Sequence, residues 1–190
     1  MSITINGNGT ITGYTPVPNG SITSAKLASG VGGKVLQVVQ TPFTGTDSKS
    51  VSSGGNWVPT NPKCSITPAS ATNKILVQAN VTAALAQNTH GMYLTVLKAG
   101  SPLFVGDADG SNMERVSVGT FSYNDYNFGS FFFNYLDTAG SAGSAIEYSI
   151  RLSHDSGSST TIYLNRTEAT DNVDDRKRGA SSIVLTELAA

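Results

Sequence analysis

KILVQANVTAAL, Lys74–Leu85, alternates along its whole length. Ile75, Val77, Ala79, Val81 and Ala83 fall on one side, and Gln78, Asn80 and Thr82 fall on the other. A period of two is the mark of a strand with one face in a core. IEYSIRL repeats the pattern: Ile146, Tyr148, Ile150 and Leu152 share a face opposite Glu147, Ser149 and Arg151. Working outward, further strands are predicted at Lys34–Thr41, Met92–Lys98, Leu103–Val105, Glu114–Phe121, Gly129–Asp137, Thr160–Tyr163 and Ser181–Leu188. Turn residues separate them, and Gly45–Pro62 reads as a polar excursion carrying Trp57. Short strands at regular spacing, without helical periodicity, predict an all-β chain folded as a jelly-roll-like β-sandwich.

Two strands carry apolar groups on both faces. Lys34–Thr41 places Val35, Leu36, Val38 and Val39 on both sides. Phe131, Phe132, Phe133 and Tyr135 do the same in Gly129–Asp137. One face of the latter lines the core, and the other needs cover, for which a subunit interface is the simplest source.

Residues 1–33 differ from the body. Ile3, Ile5, Ile11 and Ile22 lie among Gly, Asn, Thr and Pro, and GTIT and GSIT form a degenerate repeat. Such pieces bury little alone and need a partner surface. Thr23–Gly30 is the one plausible helical turn, capped by Thr23 and ended by Gly30. The expected organisation is a short, extended N-terminal connector and particle anchor over 1–33, built on those four isoleucines, and one sandwich domain over 34–190.

The composition narrows function. Charged residues make up 13% of the 190 and the formal net charge is −1, so no basic footprint for nucleic acid is present. Cys64 is the only cysteine, which excludes an internal disulfide. The start MSITINGNGT lacks the basic and apolar regions of a signal peptide, and no apolar run reaches the roughly 20 residues of a spanning helix. The expectation is synthesis in a cytoplasm without membrane insertion.

No catalytic constellation emerges. His90 and His154 follow turn-rich stretches, no nucleophile elbow is present, and VGGKV lacks the spacing of a phosphate loop. The chain is read as non-enzymatic and without a cofactor. Asp107, Asp109 and Asn112 have the residue types of an acidic calcium loop, but the remaining ligand spacing is missing, so a turn is preferred to a metal site. Tyr123 and Tyr126, beside Asn124 and Asp125, could stack on a sugar and bind its hydroxyls, or pack within their loop. Asp174, Arg176 and Arg178 belong to the densest charge run, either a solvated loop or a receptor-contacting one. Asn165-Arg166-Thr167 is a formal glycosylation sequon, read as chance in an Asn- and Thr-rich chain.

Three segments carry a resemblance: SAKLASGVGGKVLQVVQ at Ser24–Gln40, the stretch from Tyr93 through Gly106-Asp107-Ala108 to Arg115, and IYLNR at Ile162–Arg166 followed by SSIVLTEL at Ser181–Leu188. Together they resemble the small fibre and virion-surface proteins of tailed bacteriophages, particularly those of aquatic bacteria. The resemblance implies a compact β domain assembled as a homotrimer at a virion surface, after synthesis in a bacterial host. It implies other virion proteins, of capsid or tail, as partners, and a host surface glycan or protein as a contact. It supplies no catalytic residue. About thirty residues before the domain span at most roughly 100 Å, too few for a long shaft. A short fibre or decorating knob fits best. A capsid cement protein without a receptor role and a stand-alone carbohydrate-binding sandwich are the alternatives.

Overall fold

The computed structural model describes residues 4–5, 11–12, 34–86, 90–110, 114–122, 127–168 and 177–190. Chain contacts divide it into two units, Met1–Lys34 and Val35–Ala190. In the first, β1 (Thr4–Ile5) pairs antiparallel with β2 (Ile11–Thr12).

The second unit holds β3 (Val35–Phe43), β4 (Asp47–Val51), β5 (Asn56–Trp57), β6 (Lys63–Ile66), β7 (Lys74–Leu85), β8 (His90–Lys98) and β9 (Ser101–Leu103). It continues with β10 (Val118–Ser122), β11 (Gly129–Thr138), β12 (Ile146–His154), β13 (Thr160–Leu164) and β14 (Ser181–Leu188). One antiparallel sheet runs β3–β14–β7–β11, with β13 and β4 extending from the far end of β7. The other runs from β10 and β9 through β8 and β12 to β5 and β6. Number the eight principal strands β3, β6, β7, β8, β10, β11, β12 and β14 in chain order. The sheets then read 1-8-3-6 and 2-7-4-5, the interleaved order of a jelly roll. The expected all-β, jelly-roll-like sandwich is therefore the observed fold.

Alternation explains the core. Ile75, Val77, Ala79, Val81, Ala83 and Leu85 of β7 face Met92, Leu94 and Val96 of β8, with Tyr148, Ile150 and Leu152 of β12 in the same cluster. Phe131 and Phe133 of β11 and Ile183 and Leu185 of β14 complete it. The bounds expected for Lys74–Leu85 and Ser181–Leu188 coincide with β7 and β14.

Other expectations shift for physical reasons. Gly45–Pro62 holds two strands, not only a polar excursion. β4 forms an outer strand on β13, so Ser48, Lys49 and Ser50 are exposed and only Val51 is buried; its polarity hid it. β6 carries just two apolar residues, but Cys64 and Ile66 alternate into the core. The strand expected at Leu103–Val105 lies at Ser101–Leu103, because Phe104 takes a left-handed φ of 48° and leaves the ladder.

Asn165 fastens four segments at the end of the first sheet. It is fully buried and adopts a φ of 58°. Its Oδ1 accepts from Thr82 Oγ1 (3.0 Å) and Ser181 Oγ (2.5 Å), and its Nδ2 donates to Phe43 O (2.8 Å) and Gly45 O (2.9 Å). The sequon asparagine thus holds the fold and offers no exposed amide.

Candidate functional site: an uncharged sheet face

The outer face of β3–β14–β7–β11 is set by the same alternation that builds the core. Register aligns Phe132 with Asn80 and Ser182, then Asn134 with Gln78 and Val184, then Leu136 with Leu76, Thr186 and Val38. A fourth row places Thr138 beside Lys74 and Leu188. Lys74 is the one charge in these four rows, and its Nζ donates to Thr138 Oγ1 at 2.7 Å. Gln78 Nε2 donates to Asn134 Oδ1 at 3.0 Å across β7 and β11.

Large apolar side chains stand free on this face. Phe132 is 65% exposed, Val38 60% and Leu136 49%, and Val35 and Leu36 at the start of β3 are also exposed. A shallow hollow of about 310 Å³ lies between Phe132, Asn134, Gln78, Asn80, Ser182 and Val184. Fully burying a Phe side chain is worth about 1.5–3 kcal/mol, so covering the exposed two-thirds of Phe132 contributes about 1–2 kcal/mol. An apolar patch rimmed by amides and hydroxyls, with almost no charge, has the chemistry of a protein contact surface.

The four aromatic residues expected at a subunit interface divide. Phe131 and Phe133 point into the core and are withdrawn from any surface role, because their parity on β11 is that of the sandwich interior. Tyr135 is half-buried and stacks on Phe104 with ring centroids 4.5 Å apart. Phe132 alone faces outward. Sequence reasoning missed Val38 and Leu136 as its companions. Leu136 lies four residues further along β11 on the same face, while Val38 lies on β3, and only the register places Val38 in the row of Leu136.

The remaining candidates scatter. Asp107 and Asp109 lie in an exposed irregular segment, and Asp107 Oδ1 accepts from Ala108 N at 2.8 Å, a local turn contact. Asn112 lies outside the described residues, and no group of three or more metal-ligating side chains occurs among those described. Tyr123, Tyr126, Asp174 and Arg176 also lie outside them. Arg178 is exposed, bridges to Arg166 through the backbone, and donates Nη1 to Thr46 Oγ1 at 3.3 Å. Ile5 and Ile11 pair opposite each other in β1 and β2, while Ile3 and Ile22 lie outside the described residues. Among the described residues no helix is long and apolar enough to cross a membrane.

No protein-family model matches the chain, and no curated protein matches it. Solved structures do align with it. Structures of infectious bursal disease virus, Gx and Gt strains, align over 81% and 82% of this chain at 12% and 11% identity, each with a TM-score of 0.41. T=1 particles derived from that virus align over 81% at 10% identity and a TM-score of 0.42. This chain spans 37%, 39% and 36% of the length of those chains.

Proposed function

We propose that this protein is a structural component of a virus particle, a short trimeric fibre or surface-decorating knob that meets sister copies through the outer face of β3–β14–β7–β11. The scarcity of charge on that face, Lys74 alone in four rows, together with its exposed apolar side chains, carries the reading. Copies can meet there without like-charge repulsion, and the exposed Phe132, Val38 and Leu136 supply the apolar area. The sequence resemblance to small phage fibre and virion-surface proteins supports the same role, with contact to the host surface as its outward function. The reading gives the chain no catalytic part. A jelly roll is shared by unrelated activities, so the face and not the fold points to this role.

The test is the solution mass of the full chain by analytical ultracentrifugation across micromolar concentrations, beside Phe132→Asp and Val38→Asp. A trimer in the parent and a monomer in both variants, with the parent far-ultraviolet spectrum retained, is expected. A parent chain that stays monomeric throughout, or a trimer indifferent to both substitutions, overturns the reading.

A further inference from the structure

The opposite sheet carries a polar cleft that the assembly reading does not use. It has a volume of about 310 Å³ and is lined by Tyr93, Glu114, Val116, His154 and Asp155. That lies at the small end of ligand pockets, which run from about 300 to 1,000 Å³. Tyr93 stands on β8, Asp155 directly follows β12, and Glu114 arrives from the connection preceding β10. The sequence separates these groups widely, and the β8–β12 pairing brings them together.

Two glycines shape the platform. A Cβ on Gly119, the partner of Tyr93 on β10, would sit 3.2 Å and 3.3 Å from ring atoms Cδ1 and Cε1 of Tyr93. A Cβ on Gly91 would sit 2.5 Å from the Tyr93 hydroxyl and 2.8 Å from Asp155 Oδ2. The ring therefore lies across both glycines, along the sheet, and any larger residue at Gly91 would displace it together with the carboxylate. A half-exposed aromatic ring laid along a sheet offers a flat apolar surface to a ligand.

The acceptors beside it are held in place. Asp155 Oδ1 accepts from Gly91 N at 2.8 Å and lies 3.4 Å from His90 Nδ1, while Oδ2 accepts from Tyr93 Oη at 3.0 Å. Burial first, and then this bond to Asp155, hold the Tyr93 hydroxyl above its ordinary pKa, so it stays a donor. Glu114 Oε1 pairs with Arg151 Nη2 at 3.1 Å, and Arg151 Nη2 also reaches the buried Thr95 Oγ1 at 3.3 Å. Arg151 Nε is buried without a protein partner. Asp155 remains 47% exposed and Glu114 36%, so both keep lone pairs open to the cleft.

We propose that this cleft binds one ring of a neutral saccharide, which lays its C–H face on Tyr93 and donates hydroxyls to Asp155 and Glu114. Two carboxylates facing the cleft disfavour an anionic ligand, since like charges there would be costly. A polyol supplies the donors these acceptors lack and the apolar face the ring lacks. The inference stands apart from the assembly reading, because the two sites occupy different sheets and have different readouts.

The experiment is saturation-transfer difference NMR on the full chain with glucose, galactose, mannose and N-acetylglucosamine, followed by titration of any binder. Single rings are expected to bind with Kd on the order of 1–10 mM, an ordinary strength for a small, weakly held ligand. Tyr93→Ala and Asp155→Asn should weaken binding at least tenfold, and Glu114→Gln, at a partly exposed site that leaves the core intact, should weaken it several-fold. Circular dichroism confirms the fold of each variant. Absence of transfer to all four sugars on a folded chain overturns the proposal. So does binding that survives all three substitutions, or a preference for inorganic phosphate or N-acetylneuraminate that these substitutions abolish. Retained saccharide binding in the monomeric Phe132→Asp chain would support it.

Discussion

Glu187 should control how this domain responds to acid. It sits on the core face of β14, continuing the row Ser181, Ile183 and Leu185, and is fully buried. Its Oε1 accepts from Asn73 Nδ2 at 2.6 Å and Ala69 N at 2.8 Å, and its Oε2 accepts from Gln37 Nε2 at 2.6 Å. Burial on its own pushes this carboxyl up. Hydrogen bonds from Asn73, Gln37 and the Ala69 and Ser70 backbone outweigh it and hold the group below the ordinary 4.5. A folded pKa below the unfolded one means that the ionised carboxylate stabilises the fold above about pH 4.5, and that this contribution is lost as pH falls through the folded value.

Glu187→Gln keeps the shape but turns one acceptor into a donor. If its oxygen stays with Asn73 and Ala69, its amide faces Gln37 Nε2. Gln37 cannot simply flip, because that nitrogen also donates to Thr67 O at 2.8 Å. One charge-assisted bond is lost, at about 1.5–3 kcal/mol, and a buried donor goes unmet, at about 1–3 kcal/mol. Partial relaxation brings the expected loss to about 2–4 kcal/mol at pH 7, a fall in Tm of roughly 4–16 °C for a domain of this size. The assay is urea unfolding of both chains at pH 7 and at pH 3.5. The parent should lose stability between the two, and the variant should lose less, because it lacks the titrating group. A variant within about 0.5 kcal/mol of the parent at pH 7, or one with the same acid slope, refutes the argument.

Asn165→Ala removes four side-chain bonds and places Ala at a positive φ, so a loss of about 3–5 kcal/mol is expected in urea unfolding; Asn165→Asp should be comparably harmful, since a carboxylate oxygen would face Phe43 O and Gly45 O. The Tyr148 hydroxyl is buried and donates to Asp137 at 2.7 Å, which raises its pKa well above 10.0 through burial first and then that bond. Stability from Tyr148 is therefore present below about pH 10 and falls as pH rises further, and Tyr148→Phe should flatten that alkaline limb in a pH series of thermal melts. Asp137 on β11 also pairs with Lys98 Nζ at 2.7 Å, so Asp137→Ala removes the carboxylate shared by the buried Tyr148 hydroxyl and the Lys98 ammonium, neighbours on the facing sheet, and should cost about 2–4 kcal/mol by the same unfolding assay.

Strands whose two faces differ were legible, because alternation is a local signal. β7, β12 and β14 show it, whereas Glu187, an acid continuing the apolar row of β14, was not singled out before the structure showed its burial. β4 was not legible: an outer strand needs little apolar residue, so nothing local separates Asp47–Val51 from a loop. The interleaved strand order was expected only from the count and spacing of strands, since sequence carries no register. The candidate surfaces depend on register even more. Phe132 announced itself through the run of aromatics, while Val38 lies three strands across the sheet from Leu136. Tyr93 and Asp155 are 62 positions apart, and only the approach of β8 to β12 closes the gap. Asn165 stood out only as a chance sequon and gave no signal of its structural role, because that role lies in partners drawn from three other strands.

The two outer faces of the sandwich differ in a way that a low charge content makes informative. Only 13% of residues are charged, yet the β8–β12 side holds the ion pairs Lys63–Glu147 and Arg151–Glu114 and the carboxylate of Asp155, while the four rows of β3–β14–β7–β11 hold Lys74 alone. Exposed ion pairs contribute about 0–1 kcal/mol each, so stability does not account for placing them on one side. Solubility does not require it either, since spreading the same charges over both faces would shield Phe132 and Val38 better. One side with a single charge in four rows and one that gathers ion pairs fit the two proposals made above, a subunit that joins its copies on the first and binds a polyol on the second. The division also makes the two proposals separable: Phe132→Asp should alter mass and spare saccharide binding, and Tyr93→Ala should do the reverse. A single substitution that abolished both would mean that the faces are coupled through the core, and would overturn the division itself.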